Sequence, residues 1–179
     1  IVDLSNGNYT LIEKKVVIEG QKTAYFSEKF LEITVPVTTK EQIKEIKKTV
    51  THIAKKHDEE PYKALATTQQ AIFHQLEEQD EIDAAAIFDK VFEEKPLARE
   101  AAQLAIAEER VPEKIAVTNV PKYERKYSKQ KFKLDNGIEI TIPSEIYENK
   151  EMVEFINNPD GSVSVLIKNI ESILNKFNA

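Results

Sequence analysis

The 179-residue sequence contains no cysteine, only four glycines and only three histidines. Without cysteine there is no disulfide framework, no thiolate zinc site and no cysteine nucleophile, a composition that suits a reducing cytosol. No stretch approaches the roughly 20 consecutive apolar residues of a membrane span, and no basic segment followed by an apolar run stands at the N-terminus, so the expectation is a soluble, unsecreted chain. There is no Gly-rich phosphate loop and no nucleophile elbow. His52 and His57 fall five residues apart, on different helix faces, and His74 has Glu77 and Glu78 nearby but no second histidine. A metal site needs a complete ligand set, so all three histidines read as surface residues. The acidic run Glu77, Glu78, Asp80, Glu81, Asp83 reads as a solvated helix junction rather than a carboxylate pair for acid-base chemistry. Asp135-Asn136-Gly137 lacks the alternating acidic ligands of a calcium loop. The residues therefore give no reason to expect an enzyme, a cofactor or a metal. The chain opens at Ile1 rather than methionine, which reads as part of a longer protein.

What is present is charge, unevenly spread. The net charge of -6 opposes indiscriminate attraction to phosphates. Residues 38–57 nevertheless carry six lysines against two glutamates, a net of +4, and residues 58–113 carry five basic residues against fifteen acids, a net of -10. Residues 114–133 return to seven basic residues against one acid, a net of +6. The alternation of basic, acidic and basic blocks is the main signal in the composition.

Hydrophobic periodicity divides the chain further. Residues 9–18 are rich in β-formers and end at the turn signal Glu19-Gly20-Gln21, and residues 25–35 read as a strand or a short helix. Thr38 and Thr39 precede Glu41 and Gln42 at capping-box spacing, and Ile43, Ile46, Val50 and Ile53 follow at helical steps. Pro61 opens a second helix through Leu65, Ile72, Phe73 and Leu76, Asp83 caps a third carrying Ile87, Phe88, Val91 and Phe92, and Pro96 opens a fourth through Leu97, Ala101 and Leu104. Residues 111–128, with Pro112 and Pro121, read as a boundary.

Beyond it the period becomes two. Over residues 132–140 a three-residue loop, Asp135 to Gly137, sets Leu134 opposite Ile138, Phe132 opposite Ile140 and Lys133 opposite Glu139; a two-residue turn would set Leu134 against Glu139. Over residues 152–168 the loop Pro159-Asp160-Gly161 sets Phe155 opposite Val165 and Val153 opposite Ile167. Pro143-Ser144 starts a short helix, and residues 170–177 read as a terminal helix with Ile170, Ile173, Leu174 and Phe177 on one face. The fold class is α+β: a mixed β N-terminal segment, a helical middle and a small antiparallel hairpin sheet at the C-terminal end. The expected organisation is 1–113 for the N-terminal strands and acidic helices, 114–130 for a basic linker and 131–179 for the hairpin subdomain, without internal repeats.

Three stretches carry a family resemblance: Gly20-Gln21-Lys22-Thr23-Ala24-Tyr25-Phe26-Ser27 with Phe30-Leu31, residues 132–143 around Leu134-Asp135-Asn136-Gly137-Ile138-Glu139-Ile140, and residues 153–170 with Phe155-Ile156-Asn157-Asn158-Pro159-Asp160-Gly161. In this order and spacing they resemble bacterial nucleoid-associated proteins of the NdpA type, over nearly the whole chain, as the middle and C-terminal part of such a protein. The resemblance implies a cytoplasmic protein of the nucleoid, associated with DNA either directly or through another protein. It supplies no catalytic signature and no contact residue.

The residues themselves offer two basic candidates. Lys122, Arg125, Lys126, Lys129, Lys131 and Lys133 are interleaved with Tyr123 and Tyr127, the composition that holds phosphates and stacks bases. The same stretch also fits a solvated linker running into an edge strand guarded by lysines, and it is the resemblance that selects DNA. The outer face of the first helix, with Lys44, Lys47 and Lys48 beside Lys40 and Lys55, is the second candidate. The helices of the acidic block are excluded as a DNA-reading unit by their own charge. They support the alternative function, a protein-protein scaffold or homodimer, because Ile72, Phe73, Phe88, Val91 and Phe92 are more apolar surface than a small helical core needs.

Overall fold

The computed structural model describes residues 13–14, 16–18, 21–23, 25–31 and 37–174. The chain divides into two compact units, Ile1–Thr38 and Thr39–Ala179.

In the first unit, β1 (Val16–Ile18) pairs antiparallel with β2 (Gln21–Thr23), Ile18 opposite Gln21. A single π-helical turn follows at Tyr25–Phe30. Its first turn is held by Glu13, whose carboxylate accepts from the Phe26 N–H, from the Ser27 N–H at 3.0 Å and from the Ser27 hydroxyl at 2.6 Å. The Ser27 hydroxyl, more than burial, sets the balance and lowers the Glu13 pKa. The reading of residues 25–35 as a strand or short helix thus resolves to a helical turn over its first six residues, while 9–12, 19–20 and 32–36 lie outside the described residues.

The second unit is built around one helix. α1 (Thr39–Lys56) buries Ile43, Ile46, Val50 and Ile53, the seam expected from their spacing, and exposes its lysines except the half-buried Lys47. α2 (Pro61–Glu78) starts with proline in its first turn, where the missing N–H costs nothing. It packs against α1, α3 and α5 and is buried on several sides through small residues, Ala64, Ala66 and Ala71, with Thr68 satisfied by donating to Ala64 O at 2.7 Å.

β3 (Glu81–Asp83) follows, and Asp83 then caps α3 (Ala84–Val91) by accepting from the Ala86 N–H at 2.9 Å. α4 (Pro96–Ala107) buries Ala98, Ala102 and Ala105. Leu97 and Leu104, expected to define the inner face of this helix, are 70% and 53% exposed. The close approach of α4 to its neighbours selects its alanine stripe instead.

Residues 114–130, read from the sequence as a basic linker, hold a strand and a helix. β4 (Lys114–Ala116) pairs antiparallel with β3, Ile82 opposite Ile115, both fully buried. α5 (Val120–Tyr127) is capped by Asn119, which accepts from the Lys122 N–H at 3.2 Å. The core therefore runs without a break from Ile43 to Tyr127, and it absorbs Ile72, Phe73, Phe88 and Phe92, with Val91 packed against it. The surplus of apolar surface expected from those five residues is not there.

The hairpins form as the register argument requires. β5 (Lys129–Lys133) pairs with β6 (Glu139–Pro143), Phe132 opposite Ile140 and Lys133 opposite Glu139. β7 (Val153–Asn157) pairs with β8 (Val163–Ile167), Phe155 opposite Val165 and Val153 opposite Ile167. The loops close on Gly137 at φ 89° and Gly161 at φ 83°, the left-handed region that glycine enters without strain. Between the hairpins lies the short α6 (Ser144–Glu148). Residues 170–174 are not helical: Ile173 and Leu174 are 86% and 81% exposed, and an amphipathic segment left this exposed lacks the burial that sustains a helix. The remainder of that expected helix lies outside the described residues. With six α-helices and four two-stranded antiparallel sheets among the described residues, the fold is α+β.

Candidate nucleic-acid interface

The hairpins dock on α2 through side chains that bond to backbone. Gln69 donates to Tyr127 O at 3.2 Å and Lys129 O at 2.7 Å, and the buried Gln130 donates back to Ala66 O at 3.0 Å. The Ser144 hydroxyl donates to Tyr127 O at 2.8 Å. An aromatic cluster completes the joint, with ring centroids 5.1 Å apart for Phe132 and Phe155, 5.6 Å for Phe132 and Tyr147, and 5.9 Å for Tyr62 and Phe155. This clamp fixes the C-terminal end of α5 and the start of β5.

On that support stand the basic residues. Along β5, Lys129, Lys131 and Lys133 are exposed and alternate with buried Gln130 and half-buried Phe132. Their Cα atoms follow one another at about 6.6 Å, two residues of strand rise. On α5 the Lys122 ammonium lies 5.7 Å from the Tyr123 ring centroid, and the Lys126 ammonium 5.8 Å from Tyr123 and 5.1 Å from Tyr127. The Tyr127 ring also lies 5.7 Å from the ammonium of Lys47, which arrives from α1. Two basic segments far apart in sequence therefore meet over one ring.

The meeting has an electrostatic cost. Burial, and next the like charge of Lys126, push the Lys47 pKa below its ordinary value. Of the nine candidate cations, only Lys48 forms an ion pair among the described residues, with Glu45 at 2.7 Å; Arg125 and Lys44 are exposed on their helices. The region gathers uncompensated positive charge on a chain that is acidic as a whole.

Tyr127, counted in the sequence as a residue for base stacking, is 3% exposed and belongs to the core. Burial, with a smaller contribution from Tyr123, pushes its hydroxyl up to about 12. The ring is a platform for two lysines and is closed to a nucleobase. What the sequence did not reveal is a groove of about 680 Å3 in which Lys47, Lys131 and Lys133 line the same space as Tyr62, Phe132 and Phe155. Tyr62 and Phe155 carried no signal as site residues, because tertiary packing alone brings them there.

His74 sits between Glu77 at 3.3 Å and Glu148 at 2.7 Å. Among the described residues no group of three or more histidine and acidic side chains is placed to hold a metal ion. Two acids of the 58–113 block that lie outside its helices are paired, Glu59 with Lys95 at 3.1 Å and Glu81 of β3 with Lys114 of β4 at 2.7 Å.

Among known proteins, the family model described as nucleoid-associated protein YejK matches residues 1–175. No curated protein and no solved structure matches the chain.

Proposed function

The chain belongs to the nucleoid-associated protein YejK family, and from that membership we propose that it binds DNA directly, through the phosphate backbone and without reading sequence. The observation that carries the reading is the convergence of Lys47 and Lys126 over Tyr127. Like charges held together, one of them half-buried, destabilise the free protein, and an anion placed between them relieves the repulsion; such perturbed groups mark binding surfaces. Lys122, Arg125 and the β5 lysines extend the positive surface. Eight of the nine candidate cations are lysines, point charges suited to phosphates, whereas base reading relies on bidentate planar groups. Family membership supports a cytoplasmic, nucleoid location and a binding rather than catalytic role. No helix among the described residues is long and apolar enough to cross a membrane.

The test is fluorescence anisotropy with two duplexes of equal length and unrelated sequence. The proposal expects affinities equal within a few-fold, and an equal weakening of both by Lys47→Met with Lys126→Met. A strong preference between the duplexes, or no binding to either at low salt, overturns it.

A second reading, a docking module for another protein or a second copy of the chain, has its own observation in Leu97 and Leu104. They stand exposed one above the other on α4 within the acidic block. Light scattering that shows a monomer at high concentration, with the α4 leucines replaceable by glutamine without effect on partner recovery, removes it.

A further inference from the structure

The groove between α2 and the two C-terminal hairpins sets three aromatic rings, which duplex backbone contact does not use, beside lysines of the basic surface. Its volume of about 680 Å3 lies within the ~300–1,000 Å3 typical of ligand-binding clefts. Tyr62, Phe132 and Phe155 share that lining and are half-buried, so each keeps part of its ring surface open. Their mutual packing, at 5.1 Å and 5.9 Å between centroids, holds the rings in place before any ligand arrives, which lowers the ordering cost of stacking on them. Lys131 and Lys133 border the same space.

We propose that this groove binds single-stranded nucleic acid, with unpaired bases stacked against Phe132, Phe155 and Tyr62 and their phosphates held by Lys131 and Lys133. Flat apolar rings beside cations complement a nucleotide that presents a π-face and a negative charge within one residue length. Bases inside a duplex present only their edges in the grooves and cannot reach such a wall. The inference rests on the DNA reading above and deepens it: Lys47, which lines the groove and also meets Lys126 over Tyr127, joins the duplex-binding surface to a site for strands that have come apart. The carboxylates of an acidic peptide would satisfy the lysines but bring no flat face to the three rings, whereas every nucleotide carries both groups.

The experiment uses the full chain, a labelled oligothymidine and a blunt duplex of the same length, with Val163→Glu as the probe. Val163 lines the groove from β8 and is 41% exposed, so the change spares the core while placing a carboxylate where bases would stack. Oligothymidine binding is expected to weaken by roughly 5- to 150-fold, the loss of about one stacked base, and by clearly more than duplex binding, which meets only the added charge beside Lys131 and Lys133. As a measure independent of the variant's folding, 5-iodouracil in the oligothymidine should photocrosslink to peptides containing Phe132, Phe155 or Tyr62. If duplex and oligothymidine both bind, the variant alters neither or both equally, and crosslinks fall elsewhere, the groove inference fails while the backbone reading stands. If neither nucleic acid binds the wild-type chain, both readings fail. Binding of a Glu- and Phe-containing peptide that Val163→Glu abolishes, without oligothymidine binding, overturns the inference in favour of a protein partner.

Discussion

Tyr127 offers a direct check on the geometry under the basic surface. Its hydroxyl is pushed up from 10.0 to about 12, first by burial and then by Tyr123, so folding favours its neutral form. The sign follows from proton counts: between pH 10 and 12 the unfolded chain has released this proton and the folded chain retains it, so stability falls as pH rises. Over that window a shift of this size corresponds to on the order of 2 kcal/mol, and with only 3% of the residue exposed solvent screening takes little from it. Tyr62 is also raised to about 12, by burial first and then by Glu60, but it is only half-buried, so water screens its share. Tyr127→Phe keeps the ring beneath Lys47 and Lys126 and removes the titrating group. Urea unfolding of wild type and variant at pH 8, 10, 11 and 12 should show nearly equal stability at pH 8 and a shallower alkaline decline in the variant, by roughly 1–2 kcal/mol at pH 12. Parallel declines would mean that Tyr127 is solvated, and the two-lysine platform would lose its base.

Two further outcomes concern the supports of the site. Gly137→Ala places a side chain at φ 89° with nothing within 4 Å of the new Cβ, so the cost is backbone strain alone, about 1–2 kcal/mol, read as a lowered thermal midpoint that Gly137→Asn partly restores; an unchanged midpoint contradicts the three-residue loop. Gln69→Leu removes the donor to Tyr127 O and Lys129 O and is expected to cost about 1–3 kcal/mol, with faster hydrogen exchange in β5 and β6, whereas unchanged exchange there would show that the clamp does not hold the hairpin.

The parts of the fold legible in the sequence were those set by local pattern. Phe132, Leu134, Ile138 and Ile140 permit one register that keeps apolar side chains on one face, and Gly137 supplies the loop that register needs. Asp83, Pro61 and Pro96 mark helix starts because caps and first-turn prolines act within four residues. Asn119 caps α5 and Pro121 stands in its first turn, but the surrounding charge and a second proline, Pro112, made the segment read as a linker. The pairing of Ile82 with Ile115 was not legible, since three-residue strands separated by two helices have no local signature. On α4 the period identified a helix but not its inner face, because the choice between Leu97 with Leu104 and the alanine stripe is made by how closely neighbouring helices approach. At the site, sequence identified the lysines as a class. Their meeting over Tyr127, the loss of that ring to the core and the groove wall of Tyr62 and Phe155 come from tertiary packing, which charge counting does not see.

The central claim is that the basic surface contacts phosphates, and the salt dependence of duplex binding tests it most directly. Each phosphate contact contributes about 0.9 to the slope of log affinity against log salt. The account predicts that Lys126→Ala, Lys129→Ala and Lys131→Ala together lower that slope by up to about 2.7 while the chain stays folded. A folded triple variant that keeps the wild-type slope contradicts it.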